Sequence, residues 1–76
     1  MKIAALIKKA RGDMSQEDFG LKMGVSLQSV GQWERNDALP GLIVLDRLAP
    51  LLGLTYQELV MLWVEEKKYK EGYRDR

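Results

Sequence analysis

Cysteine and histidine are both absent from this 76-residue chain, and proline (two) and phenylalanine (one) are scarce. Without cysteine no disulfide can staple a small core, so the fold must rest on apolar burial. The 46% hydrophobic content is enough to make that feasible in one domain. A cysteine-free chain accords with a reducing cytoplasm, although many secreted proteins lack cysteine as well. The missing histidine and cysteine also remove the usual general base, thiol nucleophile and transition-metal ligands. Gly12, Gly20 and Gly24 lie too far apart for a phosphate-cradling loop. The adjacent acids Glu17-Asp18 and Glu65-Glu66 do not face each other on a helix, and they read as a cap and a solvated surface. An enzyme, a metal site, a cofactor and a small-molecule ligand are therefore not expected.

Long apolar runs are missing too. Nothing approaches the ~18 consecutive apolar residues of a membrane span. The opening run from Met1 to Ile7 is cut by Lys8, Lys9 and Arg11, too early for the apolar core of a signal peptide. A soluble, untargeted, cytoplasmic protein is expected. There is also no strong excess of charge, since the net value is +1. Residues 1–36 carry six Lys/Arg and four Asp/Glu, a balance of +2, against six and seven, a balance of −1, over 37–76. Charge alone makes only a weak argument for nucleic acid.

What is present is helical periodicity, without repeats or strand-like alternation. Ile3, Leu6, Ile7 and Ala10 form an amphipathic stripe ended by Gly12-Asp13. Ser15 is an N-cap with Asp18 three residues on, which predicts a helix from about Gln16 to Met23 that buries Phe19 and Met23 and stops at Gly24. Ser26 caps a third helix running to about Arg35, with Val30 and Trp33 inward. Residues Asn36 to Pro40 form a loop. A fourth helix begins near Pro40 or Gly41, with Leu42, Leu45, Leu48, Ala49 and Leu52 on one face and Gly53 at its end. Pro50 should kink it or end it near Ala49. Thr55 and Glu58 make a capping box for a fifth helix, with Leu54 and Leu59 as its staple. That helix buries Leu59, Leu62 and Trp63, then turns charged, with Glu66 and Lys70 paired at i,i+4. Residues Glu71 to Arg76 should fray.

The spacing over residues 16–35 carries the functional signal. Two helices joined by a sharp turn need a small residue at their closest approach, where Gly20 stands. They also need a turn residue tolerant of positive φ, where Gly24 stands. Phe19, Met23, Val25, Val30 and Trp33 can hold the pair to a core. The runs Ser15 to Gly20, Gly24-Val25-Ser26, Val30 and Trp33-Glu34 resemble the helix-turn-helix of lambda-repressor-like, Cro-type (XRE) transcription regulators. Leu52-Gly53-Leu54-Thr55 and Glu58-Leu59 are similar to that family's last two helices, so the likeness spans about Ile3 to Trp63. It implies an all-α, five-helix DNA-binding domain over residues 1–64, with 65–76 as a charged C-terminal extension.

The resemblance further implies that the third helix enters the major groove. The exposed positions matching the family's base readers are Ser26, Leu27, Gln28, Gly31 and Gln32. Gln bonds bidentately to adenine and Leu27 can meet a thymine methyl. The plain alternative for Gln28 and Gln32 is a polar, solvated helix face. Gln16 matches a phosphate-binding position, and Lys22, Ser29 and Arg35 are further phosphate candidates. Arg11 and Glu34 match a structural pair, with Lys9 as the substitute should the short Arg11–Ser15 connection prevent it. Two features depart from the family. Gly31 costs about 1 kcal/mol against alanine in mid-helix, so it either lets DNA approach closely or marks a relaxed reader. Ile43 and Val44 stand where relatives carry polar residues, and with Leu39 and Leu42 they form either an oligomer contact or scattered surface apolar groups.

Two readings follow from this. The first is a homodimeric repressor on a pseudo-palindromic operator of double-stranded DNA. The second is a protein-interaction module on the same fold, antitoxin-like, using Leu62, Trp63, Tyr69 and Tyr73 of the last helix.

Overall fold

Five α-helices account for the architecture, seen in a computed structural model that describes residues 2–70. They are α1 (Lys2–Arg11), α2 (Gln16–Met23), α3 (Leu27–Glu34), α4 (Leu42–Leu52) and α5 (Tyr56–Lys70). No strand occurs among the described residues, so the all-α expectation stands. The caps form as local chemistry predicts. Ser15 Oγ accepts the Asp18 N–H at 3.0 Å and Ser26 Oγ accepts the Ser29 N–H at 3.2 Å, each satisfying a donor of the first turn. The Thr55/Glu58 box is complete. Glu58 Oε1 accepts from the Thr55 N–H at 2.8 Å, and Thr55 Oγ1 accepts from the Glu58 N–H at 3.1 Å.

The core joins all five elements. Ile3 and Ile7 of α1, Phe19 and Met23 of α2, Val30 and Trp33 of α3, and Leu45, Leu48 and Leu59 from α4 and α5 are buried together. α1 packs on α3, α4 and α5, while α2 packs chiefly on α3. Trp63 is half-buried, and its indole N–H donates to the Pro40 carbonyl at 2.7 Å. That bond ties α5 to the loop that leaves α3.

α4 differs from expectation in two ways. Its inward stripe is Val44, Leu45, Leu48 and Ala49. Leu42 is 47% exposed and Val44 is 7% exposed. The core is centred on Leu48, and Val44 stands four residues before it, one turn back on the same face. Leu42 falls at the edge of that face. The apolar pair expected at the surface is therefore reduced to Ile43, at 70% exposure. The helix also runs through Pro50 to Leu52 before Gly53 closes it at φ 68°. The Leu54 N–H returns to the Ala49 carbonyl at 3.0 Å, a closing bond across the left-handed glycine. Pro50 costs one bond, to Asp46, close enough to the end that the helix tolerates it.

Glu66 also departs from the solvated surface position expected of it: it is buried, and its Oε1 accepts the Ile3 backbone N–H at 2.5 Å. α5 thus continues as a packed element past residue 64 and supplies an acceptor to the first turn of α1, which has no acidic residue of its own. The Lys70 side chain of the expected Glu66–Lys70 pair, residues Glu71 to Arg76, and with them Tyr73, lie outside the described part.

Candidate nucleic-acid interface

The α2–turn–α3 unit is built around one close approach. A Cβ on Gly20 would stand 2.8 Å from the Val25 carbonyl oxygen, so only glycine lets the two backbones meet. The Val25 N–H then donates to the Gly20 carbonyl at 2.8 Å. Gly24 takes φ 76°, the left-handed conformation the turn needs. Phe19, Met23, Val30 and Trp33 fasten both helices to the core. α3 is thereby held with one face packed and the other in solvent.

The far end of α3 is pinned by an ion pair. Arg11 Nε and Nη2 donate to Glu34 Oε2 and Oε1 at 2.7 and 3.0 Å, a bidentate fork. Arg11 Nη1 also donates to the Met14 carbonyl at 2.8 Å, and Gln16 Nε2 donates to Glu34 Oε1 at 3.2 Å. Burial pushes the Glu34 carboxyl up, but the bonds from Arg11 and Gln16 more than reverse this, leaving it below the usual carboxylate value. The bond to Glu34 raises the Arg11 guanidinium in turn, against the effect of burial. The short connection does not prevent the pairing, and Lys9 is exposed rather than standing in for Arg11.

Leu27, Gln28 and Gln32 project to solvent from one side of α3. Ser26 is exposed at its start, where its hydroxyl caps the helix and lies 3.1 Å from the Ser29 hydroxyl. Gly31 departs from the expected exposure. It is buried, because the Arg35 side chain folds back over it and Gln16 flanks it. Arg35 itself is exposed and pairs with Asp37 at 3.1 Å. Lys22 is exposed near the end of α2, and Ser29 and Gln16 are half-buried.

One positioning residue has no signature in the sequence. Arg47 of α4 donates from Nη1 to the Met23 carbonyl at 2.6 Å, and the same atom lies 2.6 Å from where a Cβ on Gly24 would stand. It satisfies a carbonyl at the end of α2 with a cation, the sign that terminus favours. Twenty-four residues separate the partners, so nothing local announces the contact. Asn36 holds φ 64° after α3, a conformation asparagine tolerates better than most residues.

An all-α domain whose second and third helices meet at a glycine-lined turn, with a polar face on the third, is a helix-turn-helix module. A family model described as helix-turn-helix matches residues 7–59. The chain belongs to this Cro/C1-type family, the XRE regulators, whose domain binds double-stranded DNA and is not an enzymatic one. Neither a search of curated proteins nor one of solved structures returns a match. No helix among the described residues is long and apolar enough to cross a membrane.

Proposed function

We propose that the protein is a sequence-specific, cytoplasmic transcriptional regulator, a repressor in its simplest form, that inserts α3 into the major groove. The observation that carries this reading is the exposed row Leu27, Gln28 and Gln32 on a helix whose opposite side is locked into the core. With Ser26, these side chains offer a hydroxyl, an apolar contact for a thymine methyl and two amides to base edges. Gln16, Lys22, Ser29 and Arg35 supply phosphate contacts that set the register without reading sequence. A domain this small makes few contacts, so two copies acting together raise affinity. We take the protein to be a homodimer on a pseudo-palindromic site with half-sites about 34 Å apart. Bound near a promoter, it acts by excluding polymerase.

Selection of duplexes from a random library tests this directly. The expected result is an enriched inverted repeat whose binding weakens steeply with salt. Gln28→Ala or Gln32→Ala should cost about 1–3 kcal/mol and relax preference at one base pair per half-site. A library without enrichment would overturn the operator reading.

A further inference from the structure

The first turn of α1 and the C-terminal half of α5 border a cleft of about 270 Å³, lined by Lys2, Leu62, Glu65, Glu66 and Tyr69. That is just below the roughly 300–1,000 Å³ of sites for drug-sized molecules, so the cleft suits something smaller. Leu62 and Tyr69 make much of its wall apolar. Glu66 is the buried member of this lining, at 7% exposure. Its Oε1 answers the Ile3 N–H, so capping α1 uses one carboxylate oxygen and leaves the second over. Oε2 is shut off from solvent and has no hydrogen-bond partner among the described residues. A buried acceptor without a donor costs free energy that an incoming donor would recover. The lining comes from α1 and α5 alone, so DNA binding through α2 and α3 gives this oxygen nothing to do.

We propose that the cleft binds a small primary ammonium with an apolar body, its N–H donating to Glu66 Oε2 and its body lying along Leu62 and Tyr69. The site goes beyond the DNA-binding reading and does not rest on it. An ammonium carries three donors and no acceptor, which suits an ionised oxygen that can only accept. Charge agrees with this choice. Glu65 and Glu66 against Lys2 leave the lining with one negative charge in excess, which favours a cation over an anion. Lys2 and Tyr69 are both exposed, so they can swing aside to admit the ligand, and Lys2 can hold its own charge out in water.

Phenethylammonium chloride is the probe, titrated at constant ionic strength into isotope-labelled full-length protein and followed by amide chemical shifts. A Kd of about 1 mM is the scale for a ligand this small. The expected result is saturable shifts centred on Ile3, Glu66 and Tyr69, with little change at Gln28 and Gln32. Phenethyl alcohol, which carries a hydroxyl in place of the ammonium, should bind on the order of tenfold more weakly. Glu66→Gln keeps an oxygen for the Ile3 N–H but removes the charge from the cleft, and should lose on the order of tenfold in affinity. Glu65→Gln, at an exposed position, should lose less. Tyr69→Ala, also at an exposed position, should weaken binding without lowering Tm, and it keeps the test decisive should the glutamine variant at position 66 fold poorly. Shifts that do not saturate by on the order of 10 mM would overturn the site. So would equal affinity for the alcohol, or unchanged affinity in Glu66→Gln and Tyr69→Ala. Shifts at the same amides on diluting the protein alone would make the cleft a contact between copies, and would overturn the ligand site as well.

Discussion

Glu34 shows how much can hang on one side chain. It is buried at the end of α3 and holds α1 through Arg11 and α2 through Gln16. Arg11→Ala would leave a buried carboxylate with one neutral partner, and should cost roughly 2–4 kcal/mol in urea unfolding at neutral pH. Because the folded carboxyl titrates below its ordinary value of 4.5, its contribution is present above that value and is lost as pH falls through the folded one. The unfolding midpoint should therefore drop in acid, and Glu34→Gln should remove part of that drop while lowering stability at neutral pH. An equal acid slope in both proteins would rule out Glu34 as its source. Gly20 is a harder constraint, because its neighbour is backbone. The carbonyl of Val25 cannot swing aside as a flexible side chain can, so Gly20→Ala should destabilise by about 1–3 kcal/mol. It should also weaken DNA binding beyond what the loss of folded protein explains.

Among the elements, α1 depends most on the rest of the fold. It has no acidic residue in its first turn, and Glu66 supplies the missing acceptor from α5. A carboxylate at a helix N-terminus both satisfies an N–H and opposes the positive end of the helix dipole. Glu66→Ala should therefore lower stability by roughly 1–2 kcal/mol, with amide exchange quickening first in α1. Uniform exchange across all helices would contradict a local role. α4 presents the opposite case. Pro50 occupies a position where its ring removes a helical bond, and Gly53, not Pro50, ends the helix. Pro50→Ala should thus raise Tm, since alanine restores the donor to the Asp46 carbonyl.

For the whole molecule, the two tryptophans report on one cooperative unit. Trp33 lies in the core and Trp63 bonds to Pro40 across the chain, so fluorescence and far-UV dichroism should trace a single unfolding transition. Separate midpoints would show that α5 melts independently. Much of this molecule is legible in its residues because the signals are local. Ser15, Ser26 and the Thr55/Glu58 box announce three helix starts, and Gly24 and Gly53 announce two ends, since caps act within a turn of the chain. The Gly20–Gly24 spacing likewise points to the α2–α3 turn. The face of α4 is only half legible, because leucine, isoleucine and valine serve equally at a buried edge or an exposed one, and only packing against Leu48 decides that Val44 goes in and Leu42 stays out.

The sequence by itself determined five helices, their caps, and a third helix with a polar face. These depend on interactions between residues a few positions apart, where spacing alone fixes geometry. Only the tertiary structure decided that Glu66 turns inward to α1, that Arg47 closes the end of α2, and that Arg35 covers Gly31 beside Gln16. The first two join residues 63 and 24 apart. The third depends on how α2 lies across α3, since Gln16 and Gly31 belong to different helices. A charged side chain has no partner written into its own neighbourhood, and it acquires one when folding brings a distant backbone or helix within reach.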